Sequence, residues 1–437
     1  MIYQISRVIS SAQIESSNKQ GMAPVHDNLK AQKESVSPGQ GPGAGGRGEG
    51  DGSTFRSQLG LILFLTAIFF LNFLSRIVFA PLMPGIEIDL GLAHAEAASL
   101  FLLIGVGYFV ALLGSGFVSC RLTHRGTIIL SALAMGGVLI GISLSSGLWT
   151  IRISLLVLGM AAGLYLPSGI ATLTSVIQAQ HWGKAIAIHE LAPNMSFVAA
   201  PLLAEALLLW VSWRGVVLFL GICSLLVGLV FTRFGGGARF GGEAPGFTSV
   251  KALLSEPSFW IMALLFSIGI SATLGIYTML PLYLVTEHGL HRNWANTLIA
   301  LSRISGLFMA FFAGWASDRF GPNRTISTVF FLTGLATVFL GMVPTAWIVV
   351  IVFLQPIMAV CFFPPGFAAL SAITPPSARN IAVSLTVPLA FVIGGGAIPI
   401  GIGAMGDAGS FGAGIALTGG LILLGSLLSL FLKPARS

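Results

Sequence analysis

The sequence predicts an all-α membrane protein: twelve transmembrane helices in two pseudo-symmetric six-helix halves. Three observations predict it. Apolar residues make up 55% of the chain and charged residues 8%, with a mean hydropathy of +0.92; soluble domains carry roughly 25% charged residues. Long uncharged runs recur from residue 59 to residue 432. One stretch also occurs twice. Residues 89–121 (DLGLAHAEAASLFLLIGVGYFVALLGSGFVSCR) align without a gap on 287–319 (EHGLHRNWANTLIALSRISGLFMAFFAGWASDR) at a constant offset of 198 residues. Gly91 falls on Gly289, Leu92 on Leu290, Ala97 on Ala295, Gly116 on Gly314 and Arg121 on Arg319. Each copy is an acidic residue, a Gly-Leu turn, an apolar helix and a glycine-arginine turn. A repeat of this kind in so apolar a chain implies two similar membrane halves.

The elements follow in order. Residues 1–55 are polar, and 39–52 (GQGPGAGGRGEGDG) are nearly all Gly, Pro and charge, so a disordered cytoplasmic tail is expected there. The segment lacks the apolar core of a cleavable signal peptide, and Met22 offers a later start. A spanning helix needs about 20 mostly apolar residues. Gly, Pro and charge clusters divide the first half into 59–83, 95–119, 126–145, 149–177, 185–209 and 214–233. The second half divides into 257–284, 295–317, 324–344, 346–371, 380–404 and 411–432. The polar stretch 234–256 is expected to be a cytoplasmic linker between halves 56–233 and 257–437.

The turns between these segments carry an orientation. With the N-terminus inside, the inner turns and the C-terminal end hold Arg121, Arg125, Lys184, Arg233, Arg239, Lys251, Arg319, Arg324, Arg379, Lys433 and Arg436. The outer turns and their edges hold Arg152, Arg214 and Arg292. Lys and Arg retain loops in the cytoplasm, so both termini are expected there. This asymmetry accounts for most of the formal charge of +7. No basic patch is interleaved with aromatics, so nucleic acid is excluded as a partner. Cys120, Cys223 and Cys361 lie in or beside apolar segments and suggest neither a disulfide framework nor a metal site.

The run Gly314-Trp-Ala-Ser-Asp318-Arg319-Phe-Gly321-Pro-Asn-Arg324 resembles the signature turn of the major facilitator superfamily, roughly G-x-x-x-D-R-x-G-x-x-R. The resemblance implies a conformational gate: the glycine lets helices approach, and the Asp-Arg pair relays charge and caps helix ends in one state of a transport cycle. The first-half copy, Gly116 to Arg125, has Cys120 where the pattern has Asp and Thr123 where it has the second Gly, which weakens the gate expected there. The fifth segment places Ala187, Ser196, Ala200, Pro201 and Ala204 where the family's antiporter motif has glycines around a Gly-Pro pair; ordinary small-residue packing is the favoured account of them. Trp213-Arg214 resembles the family's turn before the sixth helix, an interfacial anchor.

Charges inside a membrane are costly and each needs a reason. Arg303 lies eleven residues before Gly314, about 16 Å into the bilayer; its repeat partner is Gly105, so symmetry does not require it. It is expected to present its fork to an anion in a central cavity; the alternative is a buried pair with an acid. Arg76 shares a helix face with Asn72. The run from Asn72 to Leu92 resembles the organic-anion symporter branch, whose N-Y-x-D-R motif places an arginine on substrate; here Ser75 replaces the Asp. Snorkelling to the interface is the alternative for Arg76. His189, Glu190 and Asn194, with His181 and Lys184, form a polar cluster on the inner part of the fifth segment. It serves either proton coupling or a structural inner gate. Tyr108, Tyr165, Tyr277, Gln355 and Thr386 are candidate cavity-lining residues, with packing the alternative. Pro364-Pro365, and Pro388 with Gly394-Gly395-Gly396, are expected bending points.

These readings converge on a secondary transporter of a small organic anion, proton- or solute-coupled, with Arg76 and Arg303 binding its cargo. The alternatives are an efflux antiporter for drug-like or hydrophobic compounds and a non-transporting membrane receptor. No nucleophile-base spacing suggests an enzyme, and no cofactor is implied. The expected unit is a monomer in a bacterial inner membrane.

Overall fold

The computed structural model describes residues 55–242, 253–374 and 379–432. The tail through residue 54, residues 243–252 of the linker, and Lys251, Lys433 and Arg436 lie outside the described residues. Within them every regular element is helical. Eleven stretches are long and apolar enough to cross a membrane. One of these, His94–Leu144, contains two helices, because Thr123 breaks it with φ 66° and ψ 164°. The twelve are α1 (Gln58–Leu90), α2 (94–122), α3 (124–144), α4 (Leu148–Val176), α5 (Trp182–Leu208), α6 (Trp213–Phe234), α7 (Pro257–Thr286), α8 (Arg292–Phe320), α9 (Pro322–Met342), α10 (Thr345–Ile373), α11 (Ile381–Asp407) and α12 (Phe411–Phe431). The end of the bundle at which α1 begins is the tail face, and its opposite is the far face.

Several helices are interrupted, and the sequence supplies the cause. Pro81 and Pro167 cannot donate to the carbonyls four residues earlier, and α1 and α4 bend just before them, at Val78 and Leu164. Pro364 and Pro365 have the same effect in α10, where Val360–Phe362 tightens into a 3-10 turn. α8 bends at Ser305-Gly306. α7 and α11 each contain a π-bulge, Ser271–Gly275 and Ile393–Ala397, the latter holding the three consecutive glycines. The two bulges touch, since a Cβ on Gly275 would run into the carbonyl of Gly394. Packing is equally close between α2 and α4, where a Cβ on Gly107 would strike the Leu156 carbonyl and one on Gly159 the Ile104 carbonyl.

The repeat has a structural role in each half. Asp89, at the end of α1, accepts from Trp213 Nε1 at 3.1 Å and pairs with Arg214. Its counterpart Glu287, at the end of α7, accepts from the Gly412 backbone N–H at 2.9 Å and from Ser410 Oγ at 3.4 Å. Each acid therefore ties the first helix of its half to the start of the sixth.

The core divides along the bundle axis. Toward the far face one apolar cluster runs across both halves, joining Ile77, Leu82 and Leu100 to Met279, Leu298 and Phe411. Toward the tail face it splits. One cluster lies within the first half around Leu65, Ile128 and Phe231, another within the second around Phe266, Phe330 and Phe362. Polar ties follow the same division. At the far face both oxygens of Asp407 in α11 accept from the N-terminus of α2, His94 N at 2.8 Å and Ala95 N at 3.0 Å. Glu205 in α5 pairs with Arg292 at 3.0 Å and accepts from Asn296 Nδ2 at 2.6 Å, both in α8, and Asn296 also donates to the Pro81 carbonyl. At the tail face Gln58 donates to the Val176 carbonyl, Arg125 to those of Thr232 and Gly235, and Asn323 to that of Leu432, all within one half. The halves are thus joined at the far face and separate toward the tail face.

Candidate functional site

A small cleft lies where α1, α2, α7 and α11 meet. Arg76 and Tyr108 line it from the first half. Leu274, Thr278, Phe391 and Gly395 line it from the second, two of them within the π-bulges. Bulges of this kind re-aim side chains and recur at functional sites. Gly105 allows the approach, its position for a Cβ lying 3.3 Å from the Phe391 carbonyl.

Arg76 is only 6% exposed. Its Nε donates to the Asn72 carbonyl at 3.4 Å. The guanidinium lies 4.4 Å from the Tyr108 ring centre, 4.7 Å from Phe73 and 5.9 Å from Phe391. It is therefore packed inside the bundle rather than extended to an interface.

Arg303, half-buried in α8, donates to the Thr273 carbonyl at 3.3 Å, and its Nε has no partner. It lies 5.2 Å from the ring of Phe197 and 5.1 Å from that of Tyr277. Phe197 packs edge-on against both Phe73, at 5.3 Å, and Tyr277, at 4.9 Å. A continuous wall of rings from α1, α5 and α7 thus connects the two arginines. The cleft itself reaches Arg76 and not Arg303.

Among the described residues no Asp or Glu lies within 4.0 Å of either guanidinium; the acids that form ion pairs do so elsewhere. A cation over a desolvated ring gains roughly 0.5–2 kcal/mol, and a charged side chain at mid-membrane costs at least about 2.5–3.5 kcal/mol. The rings offset much of this cost but leave both positive charges without an anion.

The other sequence-predicted residues are distributed around this centre. Asn72 donates to the Ala162 carbonyl of α4 at 3.1 Å, away from the cleft, and its Oδ1 has no partner. Gln355 holds the bulge of α7 by donating to the Ala272 carbonyl at 2.8 Å. The Tyr277 and Thr386 hydroxyls are buried without partners. Tyr165 belongs to a separate cluster: its hydroxyl lies 2.6 Å from the Leu65 carbonyl and 3.0 Å from Nε2 of the fully buried His189. Glu190 follows, its carboxylate 3.7 Å from His189 Nδ1, and Asn194 donates to the Glu190 carbonyl.

In the signature turn Gly321 takes φ 87°, and Thr123, its repeat counterpart, takes φ 66°. Gly314 approaches Pro364 of α10, and Arg319 lies 6.0 Å from the Phe320 ring. Among the described residues Asp318, Arg324 and Arg121 form no ion pair. In the first half Arg125 caps the end of α6 instead. The linker contributes as well: the Phe240 and Ala238 carbonyls accept from His124 N and Arg125 N, capping α3 after Thr123.

Sequence reasoning singled out the cations and tyrosines and missed the phenylalanines at 73, 197 and 391. Among 31 phenylalanines these carry no distinguishing pattern. The available signal was spacing: Phe73 stands three residues before Arg76, within reach on one helix face.

Comparison with known proteins agrees with this architecture. The family model described as Major Facilitator Superfamily matches residues 65–309 and 293–437. The membrane sensor protein UhpC of Salmonella typhimurium is 25% identical over 325 residues, covering 68% of this chain and 72% of the relative. The 4-hydroxybenzoate transporter PcaK of Pseudomonas putida is 24% identical over 320 residues, covering 64% and 70%. Among solved structures, a bacterial homolog of the human lysosomal transporter Spinster, in an inward-facing and occupied conformation, superposes with a TM-score of 0.74 at 16% identity. The superposition covers 88% of this chain and 99% of that one. With the twelve helices, the repeat and the signature turn all in place, the chain is a multi-pass membrane protein that belongs to the Major Facilitator Superfamily.

Proposed function

We propose that the protein is a secondary transporter of a small organic anion, with Arg76 and Arg303 as its anion-recognition groups. One observation carries this reading: two guanidiniums lie inside the bundle, one from each half, joined by a wall of aromatic rings and paired with no described acid. Arginine's planar fork suits a carboxylate, and the rings suit an apolar body attached to it. The likeness to a transporter named for 4-hydroxybenzoate supports an organic anion as cargo. The halves rock about the cleft, and this structure is its inward-facing state, with the far face closed by Glu205, Arg292 and Asp407. The tail face is cytoplasmic, as the Lys and Arg distribution supports, and the bacterial relatives support an inner membrane. The linker 234–256 joins two halves, 56–233 and 257–437, in a monomer. The cycle involves no covalent chemistry, and its energy comes from a proton or solute gradient.

A second reading, a sensor that binds the same anion without moving it, is favoured by the likeness to UhpC from two bacteria. Proteoliposomes separate the two. Accumulation of 4-hydroxybenzoate or another carboxylate above protein-free vesicles, under an imposed proton gradient, supports the carrier. Saturable binding with no flux for any anion bound supports the sensor and overturns the carrier.

A further inference from the structure

The cluster around His189 fixes which ring nitrogen carries a proton. Tyr165 has one hydroxyl proton, and its oxygen lies 2.6 Å from the Leu65 carbonyl oxygen. Two oxygens this close need a hydrogen between them, so Tyr165 donates to Leu65. The contact of 3.0 Å between Tyr165 and His189 Nε2 must then run the other way, with Nε2–H donating to the phenol oxygen. The neutral ring is therefore the Nε2–H tautomer, and Nδ1 presents a bare lone pair. That atom has no hydrogen-bond partner, in a residue with no exposure at all. What faces it is the Glu190 carboxylate, 3.7 Å away and 21% exposed. Phe69 of α1 stacks on the ring at 4.5 Å and 9°.

We propose that His189 Nδ1, with Glu190 as its counter-charge, is a proton-binding site of this protein. A proton taken up at Nδ1 turns an orphaned acceptor into a donor aimed at Glu190 Oε1. The imidazolium is then held at both nitrogens, by Tyr165 and by Glu190, with the Phe69 face beneath it. Glu190 is the more exposed member of the pair and admits the proton. The chargeable groups around the ring are few. Tyr165 comes from α4 and Glu190 from α5. Arg76 on α1 and Arg303 on α8 sit at Phe73 and Phe197, nearer the far face, while Lys184 and His181 lie on the tail side of α5. Arg214 and Arg233 stand at the two ends of α6.

The proposal rests on the transport reading only for the use made of the proton, and proton binding is measured without any anion. Histidine labelled with nitrogen-15 in the full chain, in lipid nanodiscs, is followed by NMR from about pH 8 to about pH 5. The chain has seven histidines, and loss of one resonance in His189→Gln identifies the site. The expected resonance is an Nε2–H tautomer at high pH and doubly protonated at low pH. In Glu190→Gln its midpoint moves to lower pH by about one unit or more. An Nδ1–H tautomer, a ring neutral throughout the range, or a midpoint unmoved in Glu190→Gln overturns the proposal. If His189→Gln does not fold, Tyr165→Phe identifies the same resonance by removing the acceptor of its Nε2–H. Titration without anion binding upholds this site while the transport reading falls; anion binding through the arginines without titration does the reverse.

Discussion

Arg303 and Arg76 differ from an ordinary buried cation in what surrounds them. Each is held against aromatic faces and donates to a backbone carbonyl, which together fix the plane of the guanidinium. A lysine at 303 keeps the charge but loses the fork and the stacking between Phe197 and Tyr277. Arg303→Lys is therefore expected to weaken anion binding by at least about tenfold, or roughly 1.4 kcal/mol, measured by titration calorimetry. The two arginines were legible in the sequence because a charge in an apolar run is conspicuous. Their ring partners were not, since an aromatic residue in a membrane helix has the same composition signal whether it packs a core or supports a cation. Asn72 illustrates the opposite limit: helical spacing put it on the face of Arg76, but which way its amide turned depended on α4, a contact 90 residues away.

Backbone geometry at the signature turns is a residue-scale matter too. Gly321, at φ 87° and ψ 151°, sits in a region that L side chains rarely adopt, with open space where a Cβ would project. Gly321→Ala is expected to cost about 1–3 kcal/mol from the backbone alone, seen as a lowered Tm in detergent. Thr123 already bears this strain at φ 66°, and its hydroxyl accepts from Gly126 N at 3.3 Å. Thr123→Gly is expected to leave Tm unchanged or raised, because the relieved strain exceeds the few tenths of a kcal/mol lost with the cap.

At the scale of elements, the tight pairs are set by glycine. α2 and α4 cross with backbone on backbone at Gly107 and Gly159. Gly159→Leu is expected to force the helices apart at a cost of about 3 kcal/mol or more, with loss of a monodisperse peak in size-exclusion chromatography. Gly137 on α3 has nothing within 4 Å of its Cβ position, so Gly137→Ala is expected to be neutral or mildly stabilising. The number of helices and their approximate limits were readable from run length alone. The π-bulges were not, because Ser271–Gly275 has no proline or glycine cluster to announce a change of pitch. Glycines at 394–396 gave notice of a bend in α11 without indicating its form.

The whole molecule is organised by where the two halves hold together. Glu205 is the centre of one tie, accepting from Arg292 and Asn296 at once, and Asp407 clasps the start of α2 in the other. Glu205→Ala leaves Asn296 with one acceptor and Arg292 without its acid. This is expected to favour opening of the far face by about 1 kcal/mol, roughly fivefold in population. The readout is the labelling rate of Ile77→Cys, a cleft-lining position, by a membrane-impermeant maleimide applied from the far side in a background lacking the three native cysteines. The repeat foretold the matching halves, and the acids at 89 and 287 turned out to serve matching joints. Which face would be closed lay outside the sequence's reach, since the ties of Glu205 and Asp407 join helices far apart in the chain.

The central claim is that these buried guanidiniums await a negatively charged passenger, and thermal unfolding of purified protein against a panel of anions tests it most directly. Carboxylates including 4-hydroxybenzoate, phosphonates and inorganic anions are screened beside neutral isosteres, on the unmodified chain and on Arg76→Ala and Arg303→Ala. The account expects at least one organic anion to raise Tm in the unmodified protein, its neutral isostere to have no effect, and the rise to vanish in both variants. A rise that persists undiminished in both arginine variants, or that the neutral isostere reproduces, would contradict it.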